Sequence, residues 1–318
     1  MTIGRAATRS GNGRDVDPGS DRKRIVIAGA TGYLGRYLMK SAHARGYRVR
    51  ALVRSETRLG DARPMCDEVF VGEATKPSTL AGLCDGADFV VSSLGNRTLA
   101  RKPDCFEVDF QGNMNILARA READVSQFVF VSVLRGAEAR RRVPQIEARE
   151  RVVDALRAGP LPWTVIRPTG FFNDMAEILA MAKRGRVWIP GSSARSNPIH
   201  GADLAEVCLD AVGNSDAHGR EIPAGGPDAL TMREVGELAF EALGTPPRIS
   251  VIPPWMLTAV GTALRPFNIN LSSLILMITA LETGDSRCDA YGTHRLCDFF
   301  GEIAAAQSQR KARGTAQE

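Results

Sequence analysis

The sequence predicts an α/β fold built on a doubly wound parallel sheet, followed by a smaller, mostly helical C-terminal region. A short apolar run at Ile25–Ala28 leads into three glycines within residues 29–35, and an amphipathic segment follows. Apolar runs then alternate with amphipathic segments as far as Arg167, and beyond Pro168 the alternation loosens. Such alternation is typical of a parallel sheet covered by helices on both faces, and right-handed crossovers between the strands give the Rossmann-type arrangement.

The individual elements follow from the hydrophobic periodicity of the chain. After the glycines, helical periodicity runs to about Ala44, where Gly46 ends it. Six strands are expected, at residues 25–28, 48–53, 68–71, 88–92, 127–133 and 163–167. Further helices are expected near 78–84, 106–122, 145–158, 174–184, 201–213 and 231–243, with a short apolar piece at 187–189. Two apolar stretches, Trp255–Leu264 and Leu271–Leu281, follow.

The segment IVIAGATGYLG, residues 25–35, joins a strand to a helix through a glycine-rich turn. Gly29 permits the positive φ of a tight turn, Gly32 lets a pyrophosphate approach the backbone, and Gly35 lets the helix pack against the strand. The free N–H groups at the start of the helix favour phosphates. The turn is therefore predicted to bind a dinucleotide, with a purely structural turn as the alternative. The residues predicted to contact the dinucleotide here are Gly29, Thr31, Gly32, Tyr33, Leu34 and Gly35.

Arg54 determines which dinucleotide the sequence favours. Proteins that prefer NAD place an acid at the end of the second strand, where it accepts hydrogen bonds from ribose hydroxyls. Here Arg54 stands at that position, and its guanidinium suits a 2′-phosphate, so NADP(H) is favoured over NAD(H). A solvated strand-end arginine is the alternative. Glu73 is expected near the adenine or as a loop charge, and Ser93, Leu94 and Gly95 are expected beside the cofactor's ribose.

Composition and charge exclude several classes of protein. The net charge is +5, but residues 1–24 hold six basic against three acidic side chains, and residues 303–318 hold three against one. The body of the chain therefore has no basic bias, and no nucleic-acid partner is expected. The N-terminal stretch lacks the apolar segment of a secretory signal, and the six cysteines show neither CxxC pairing nor metal-ligand spacing. Free thiols in a cytoplasmic protein without a metal site are expected.

The expected organisation has four parts. A disordered basic tail spans residues 1–23, a cofactor-binding Rossmann domain 24–170, a substrate or lid region 171–302, and a second disordered basic tail 303–318. The two apolar stretches within 255–281 are too short to span a bilayer. We expect core or lid helices there; a wall around a bulky apolar substrate, with Trp255 in contact, and a membrane-surface patch are the alternatives. The sequence does not indicate the oligomeric state.

A series of motifs along the chain resembles a known family. GATGYLG, ALVR, VGEATKP, FEVDFQGNMNIL, FVFVSVL, WTVIRPTGFF and NPIHGADLA occur in that order. Over residues 24–300 they are similar to atypical short-chain dehydrogenase/reductases of the NmrA-like, NAD(P)H-binding group. GGPDALTMREVGELAFEALG and the later YGTHRLCDFF are similar to the divinyl chlorophyllide 8-vinyl reductase branch. The resemblance implies that the nicotinamide rests beside Pro168, Thr169, Gly170 and Phe171.

The Tyr-x-x-x-Lys pair of the wider superfamily is absent. In that pair the Tyr donates a proton to a carbonyl oxygen, while the Lys lowers the pKa of the Tyr and holds the nicotinamide ribose. Alignment on the family's helix puts Gln145 at the Tyr position and Arg149 at the Lys position. Arg149 retains the charge that holds the ribose, whereas Gln145 cannot donate a proton to an alkoxide. Ser132 matches the family's serine and is expected to orient a substrate oxygen, or to be a packed strand-end serine.

Two further places in the sequence have both a functional and a structural interpretation. Phe171 and Phe172 are adjacent, and we expect either an apolar floor for a planar ligand, with Phe172 against the substrate, or a place in the core. His200 lies in the turn NPIHGAD, where a structural role is favoured over catalysis.

Three functions are compatible with these residues. The first is an NADPH-dependent reductase of a bulky, largely apolar small molecule. Reduction of an activated C=C bond, as in 8-vinyl reduction of a chlorophyll precursor, does not require the Tyr, because the cofactor supplies the hydride. The second is a non-catalytic NADP(H)-binding redox sensor or assembly factor. The third is a sugar-nucleotide epimerase or dehydratase, whose chemistry usually relies on the Tyr. The expected location is the cytoplasm or the periphery of a membrane.

Overall fold

A computed structural model describes residues 22–191, 193–282 and 284–315. Its main sheet has seven parallel strands in the order β3-β2-β1-β4-β5-β6-β8. These strands are β1 (Arg24–Ala28), β2 (Arg48–Val53), β3 (Glu68–Val71), β4 (Phe89–Ser92), β5 (Gln127–Val131), β6 (Trp163–Pro168) and β8 (Arg220–Ala224). A separate pair of parallel strands consists of β7 (Val187–Pro190) and β9 (Ile249–Ile252). The prediction of a Rossmann-type doubly wound sheet is confirmed.

Ten α-helices connect and cover the strands within the described ranges. They are α1 (Tyr33–Ala44), α2 (Asn113–Glu122), α3 (Gly136–Ala139), α4 (Pro144–Arg157), α5 (Phe172–Lys183), α6 (Gly201–Ala211), α7 (Met232–Ala242), α8 (Pro254–Leu264), α9 (Ile269–Glu282) and α10 (Leu296–Thr315). A π-helical segment, Phe106–Gly112, runs directly into α2. Short 3₁₀ segments occur at 56–58, 60–65, 77–80 and 215–217.

Alternation along the central strands divides the core into two layers. In β1, Ile25 and Ile27 are buried in the layer that also contains residues of α1 and α6. Val26 and Ala28 are buried in the opposite layer, with residues of α2 and α4. Successive side chains of a strand point to opposite faces, so both faces of a central strand must be apolar when helices cover both. This requirement explains the continuous apolar runs in the sequence.

The C-terminal region has its own apolar clusters. Residues of α5, α7, α10 and β7, including Phe172, Phe240 and Phe300, form one of them. The hairpin of α8 and α9 packs on α4, where Leu276 joins Val143 and Ile146. Among the described helices, none is both long and apolar enough to cross a membrane.

Several predicted elements need correction. The helix expected at 78–84 is wrong: a single 3₁₀ turn at Pro77–Leu80 is followed by Gly82 with φ +79°. The helix expected at 106–122 begins as the π-helical segment. Strands β8 and β9 were not predicted. The helix α10 extends to Thr315, through most of the stretch expected to be a disordered tail. The N-terminal tail lies outside the described residues up to position 21.

Gln127 connects three elements from inside the core. Its side-chain amide donates to the Thr164 hydroxyl and to the Ala211 carbonyl, each at 2.9 Å. Its carbonyl oxygen accepts a hydrogen bond from the Gly213 amide at 2.7 Å. The Gln127 side chain is fully buried. Without it, its three partners would have no water to take over the lost hydrogen bonds.

We therefore expect Gln127→Leu to lower the free energy of unfolding by about 2–4 kcal/mol, because buried polar partners that lose a hydrogen bond cost about 1–3 kcal/mol each. Urea unfolding measures the change. The exposed Gln111 provides the control, and Gln111→Leu should change the free energy of unfolding by less than about 0.5 kcal/mol. Equal effects of the two substitutions would contradict the role assigned to Gln127.

Candidate functional site

The candidate site lies where the strand order of the main sheet reverses, between β1 and β4. The two strands are parallel neighbours, and the chain leaves β1 and β4 at the same edge of the sheet. The Ser93 amide continues the ladder by donating to the Ala28 carbonyl at 3.0 Å. In open α/β sheets, the crevice at such a switch point is the usual place for a ligand.

The glycine turn brings the backbone of α1 very close to β1. Gly29 has φ +82°, and a Cβ there would lie 2.9 Å from the Ser93 carbonyl carbon. A Cβ on Gly35 would lie only 2.1 Å from the Gly29 carbonyl oxygen, so α1 packs closely only because this residue is glycine. Gly32 precedes α1, which has neither a side-chain cap nor an acid in its first turn. The N-terminus of α1 thus presents free N–H groups and positive dipole charge, which fits a pyrophosphate.

Tyr33 connects this turn to the start of α6. Its hydroxyl accepts a hydrogen bond from the Gly201 amide at 3.0 Å, and burial raises its pKa. The Tyr33 ring contacts the Phe171 ring edge-on, with 6.4 Å between centroids. Phe171 follows β6 and pairs with Ile199 in an isolated bridge. The structure therefore brings the glycine turn and the predicted nicotinamide segment, Pro168–Phe171, to one side of the sheet.

Arg54 stands exposed at the end of β2, on the β3 side of the glycine turn. Within the described part of the chain, it forms no salt bridge. Glu73 instead pairs with Lys76 at 2.6 Å. The pKa of Glu73 is lowered mainly by that hydrogen bond from Lys76, and Arg54 makes a smaller contribution. The guanidinium of Arg54 is thus free to bind an anion at the strand end.

A buried ion pair lies beneath the loop that follows β4. Arg149 donates to Asp109 at 2.7 Å, to the Leu94 carbonyl at 3.3 Å and to the Val131 carbonyl. Asp109 is fully buried in the π-helical segment and also accepts from the Asn96 amide at 3.0 Å. Burial raises the pKa of Asp109, and the Arg149 guanidinium opposes that effect. π-helical turns often occur at functional sites.

Gln145 and Arg149 lie on the same face of α4, one helical turn apart. The Gln145 amide donates to the Asn96 carbonyl at 2.8 Å and to Asp109 at 3.2 Å. A Cβ on Gly95 would lie 2.7 Å from Nη1 of Arg149, so the backbone at Gly95 lies directly on the ion pair. Gln145 and Arg149, which are expected at the family's Tyr and Lys positions, therefore both contact Asp109 and the loop after β4.

Ser132 is buried and has a structural partner. Its hydroxyl donates to Glu150 at 2.9 Å, and Glu150 also accepts from Arg167 at 2.8 Å. Glu150 and Arg167 are both buried. The alternative interpretation, a packed strand-end serine, agrees with this position better than an oxygen-orienting role does.

The two predicted substrate contacts differ in accessibility. Phe172 is 2% exposed and packs beside His200 and Phe299, so the structure places it in the core and not on a substrate surface. Trp255 is 71% exposed on α8.

His200 has the structural role expected for it. It precedes α6, accepts from the Ala202 amide at 3.3 Å and stacks on His294 at 4.3 Å between ring centroids. Burial lowers its pKa, and His294 lowers it further. No group of three or more metal-ligating side chains occurs among the described residues.

Sequence reasoning missed Asp109 and Asn113. The motif FEVDFQGNMNIL contains both, but its periodicity indicated only a helix. Asn113 donates to the Asp109 carbonyl at 2.8 Å and accepts from Ser92 at 2.5 Å, so it links the π-helical segment to the end of β4. The available signal was the spacing of Asp109 and Asn113, four residues apart, which places both on the face of the helix that is buried.

The chain is similar to known NAD(P)H-binding proteins. Residues 29–215 match a family model described as NAD(P)H-binding. The divinyl chlorophyllide a 8-vinyl-reductase of Zea mays is 27% identical, over 88% of this chain and 79% of that protein. A photosystem II assembly factor of Synechocystis is 26% identical, over 82% of this chain and 81% of that protein.

Solved structures show the same fold at lower identity. An NADPH-dependent quinone oxidoreductase from Escherichia coli, complexed with NADPH, matches with a TM-score of 0.71 and 14% identity, covering 88% of this chain and 99% of that one. A Citrobacter triphenylmethane reductase complexed with NADP(H) matches with a TM-score of 0.65 and 16% identity, covering 87% and 95%.

The buried pair predicts strong energetic coupling between Asp109 and Arg149. We expect Arg149→Met to lower the free energy of unfolding by about 3–5 kcal/mol, because Asp109 is left as a buried charge without its partner. The double variant Arg149→Met/Asp109→Asn should lose clearly less than the sum of the two single variants. Urea unfolding of all four proteins measures the coupling.

Arg151 provides the matched control on the same helix. It pairs with Glu147 at the surface, and Arg151→Met should cost less than about 1 kcal/mol. Additive effects of the Arg149 and Asp109 substitutions would show that the pair does not act as a unit.

Proposed function

Because the chain belongs to the NAD(P)H-binding family, we propose that it is an NADPH-dependent reductase of a bulky, largely apolar small molecule. The observation that carries the proposal is the free Arg54 beside a glycine turn that opens onto the N-terminus of α1. Residues 24–170 would hold the cofactor, and residues 171–302 would form the substrate side. The protein would act in the cytoplasm or at the periphery of a membrane.

The glycine turn fits the pyrophosphate, since a side chain at Gly29 or Gly35 would fill the close approach between α1, β1 and Ser93. The residues Thr31, Gly32, Tyr33 and Leu34 would surround the phosphates. Arg54 would bind the 2′-phosphate through two parallel hydrogen bonds, and a carboxylate at the same place would repel it. Glu73 would lie on the adenine side of Arg54.

The nicotinamide half would lie between Ser93–Gly95 and Pro168–Phe171. Arg149 would help to hold the ribose with the N–H groups that Asp109, Leu94 and Val131 leave unused. Ser132 would support the site through Glu150. When bound, the cofactor supplies a hydride, and the protein orients the acceptor against it.

Gln145 bears on the kind of bond that is reduced. Its amide is held by the Asn96 carbonyl and Asp109, and an amide is too weak an acid to protonate an alkoxide. Reduction of an activated C=C bond fits this site, because the resulting carbanion is stabilised by conjugation and can take its proton from water. The relative from Zea mays is named for reduction of a vinyl group, and we extend that class of reaction, but no particular substrate, to this chain.

A non-catalytic NADP(H)-binding protein is the second candidate. It is favoured by the involvement of both Gln145 and Arg149 in internal hydrogen bonds, and by the similarity to a photosystem II assembly factor. In that case bound NADPH would be a signal or a structural ligand, and no acceptor would be turned over.

The cofactor assignment predicts a selective effect of Arg54→Ala. Loss of a charge-assisted hydrogen bond costs about 1.5–3 kcal/mol, so the Kd for NADPH should rise about tenfold or more while the Kd for NADH stays unchanged. For Arg54→Lys, the Kd for NADPH should lie between those of the wild type and Arg54→Ala, because lysine keeps the charge and loses the bidentate geometry. Fluorescence titration measures each Kd, and Arg220→Ala, at the opposite edge of the sheet, is the control. Parallel changes for NADPH and NADH would contradict the 2′-phosphate assignment.

Turnover distinguishes the two candidate functions. Purified protein is mixed with NADPH and, in turn, enones, quinones and divinyl tetrapyrroles, and loss of NADPH absorbance is followed. Oxidation with at least one acceptor, abolished by Gly35→Ala, is expected for the reductase. Tight NADPH binding without oxidation by any acceptor would support the non-catalytic protein instead.

A further inference from the structure

The hairpin of α8 and α9, residues 254–282, presents an unusually apolar surface. Its only charged residues are Arg265, between the two helices, and Glu282 at the end of α9. Its exposed large apolar side chains are Trp255, Met256, Val260, Phe267, Leu274 and Ile278. Trp255 and Phe267 are 71% and 65% exposed. Exposed apolar surface of this kind marks a site of interaction with a protein, a ligand or a membrane.

The hairpin is held firmly against the loop that follows β4. The Asn268 amide donates to the Leu99 carbonyl at 2.8 Å, and the Asn270 amide donates to the Ala100 carbonyl at 2.6 Å. Asn270 also accepts from the Cys105 amide at 3.0 Å. Leu99 is itself exposed, and its carbonyl contacts Asn268, the residue after Phe267.

A cleft beside the hairpin is lined by three arginines, Arg141, Arg142 and Arg265. Its volume is about 290 Å³, and its other lining residues are Thr258, Thr262, Leu276, Thr279 and Ala280. Within the described residues, the three guanidinium groups form no salt bridge and donate no side-chain hydrogen bond. The neighbouring Arg140 differs, because it pairs with both Glu147 and Asp154 at 2.8 Å. We call this feature the arginine cleft.

The threonines of the cleft do not neutralise it. Thr258, Thr262 and Thr279 each donate their hydroxyl to a carbonyl of their own helix. None of the described residues that line the cleft carries a carboxylate. The adjoining space, which shares Arg141 and Arg265 with the cleft, is also lined by Glu147, but that carboxylate already pairs with Arg140 and Arg151. An anion with several oxygens would satisfy the three guanidinium groups of the cleft, since arginine binds phosphate through parallel hydrogen bonds.

The arginine cleft and the apolar surface share one helix. Thr258 and Thr262 on α8 and Arg265 at its C-cap follow a spacing of four and three residues and line the cleft. Trp255 precedes Thr258 by three residues and lies on the same side of α8, at its exposed N-terminal end, whereas Val260 lies on the opposite face. Basic residues beside exposed Trp and Phe side chains are typical of a segment that lies in the membrane–water interface. Helices of 11 and 14 residues are only about 17 and 21 Å long, shorter than the hydrocarbon core.

We propose that the hairpin docks on an anionic phospholipid bilayer, with its exposed apolar side chains in the interface and a lipid phosphate in the arginine cleft. Charge complementarity decides this occupant, because an anionic bilayer supplies the phosphates that the three arginines lack. A second copy of the chain, related by a two-fold axis through the cleft, would instead oppose the same arginines to one another.

Vesicle co-sedimentation of the full chain tests the proposal. The protein is mixed with vesicles of phosphatidylcholine alone or with added phosphatidylglycerol. We expect binding to the anionic vesicles that weakens with salt, and an affinity about a hundredfold lower for Arg141→Gln/Arg142→Gln/Arg265→Gln, from about 1 kcal/mol per arginine. Trp255→Ser/Phe267→Ser should weaken binding without changing its salt dependence.

A charge-matched triple variant, Arg184→Gln/Arg220→Gln/Arg233→Gln, is the control, and it should bind like the wild type. Circular dichroism and NADPH affinity verify that each variant is folded. Equal losses in the two triple variants would overturn the cleft assignment, as would binding of inorganic phosphate without any binding to vesicles. Failure to sediment, together with dimers in analytical ultracentrifugation, would assign the surface to a second copy of the chain. These results are independent of whether the protein oxidises NADPH.

Discussion

The buried ion pair between Asp109 and Arg149 constrains the geometry on which the candidate site depends. It joins the π-helical segment to α4, and through the Leu94 and Val131 carbonyls it reaches the ends of β4 and β5. A fully buried carboxylate must be paired, because desolvation costs several kcal/mol per ion. The loop after β4 and the start of α4 cannot move independently without separating these charges. The proposed nicotinamide end of the site therefore has a wall of charged and amide groups behind it.

The two positions predicted to match the Tyr-Lys pair of the wider superfamily contact the same buried carboxylate. The positive charge at position 149 is retained, and much of its hydrogen-bonding capacity is directed inward to Asp109 and backbone carbonyls. The position that would supply a proton carries Gln145, whose amide contacts the same carboxylate. For the proposed reductase, such a site suits the orientation of a cofactor and offers no acid at position 145. The proposal therefore favours a reaction in which hydride transfer is the demanding step.

The sequence predicts a structural feature well when residues close together in the chain cause it, and poorly when the feature depends on contacts between distant residues. The first six strands were found because burial on both faces requires continuous apolar runs, and the glycine turn was found because its backbone geometry requires glycine. The edge strand β8, with the sequence REIPA, is only partly buried and contains a proline, so its pattern resembled a loop. The partnership of Asp109 with Arg149 spans 40 residues, and no periodicity reports such a contact. Phe172 was ambiguous for the same reason, since packing against Phe299 is determined by the tertiary fold.

The hairpin of α8 and α9 contacts both halves of this constrained region. Leu276 packs with Val143 and Ile146 at the start of α4, next to Gln145 in the sequence. Asn268 and Asn270 hold the loop at Leu99–Cys105, which leads into the π-helical segment that carries Asp109. Well-packed interiors transmit small displacements because they have few voids to absorb them. The hairpin that carries Trp255 and Phe267 therefore packs against both elements that hold the ion pair, α4 and the segment that leads to Asp109. The outer apolar face and the inner charged wall are two sides of one structural unit.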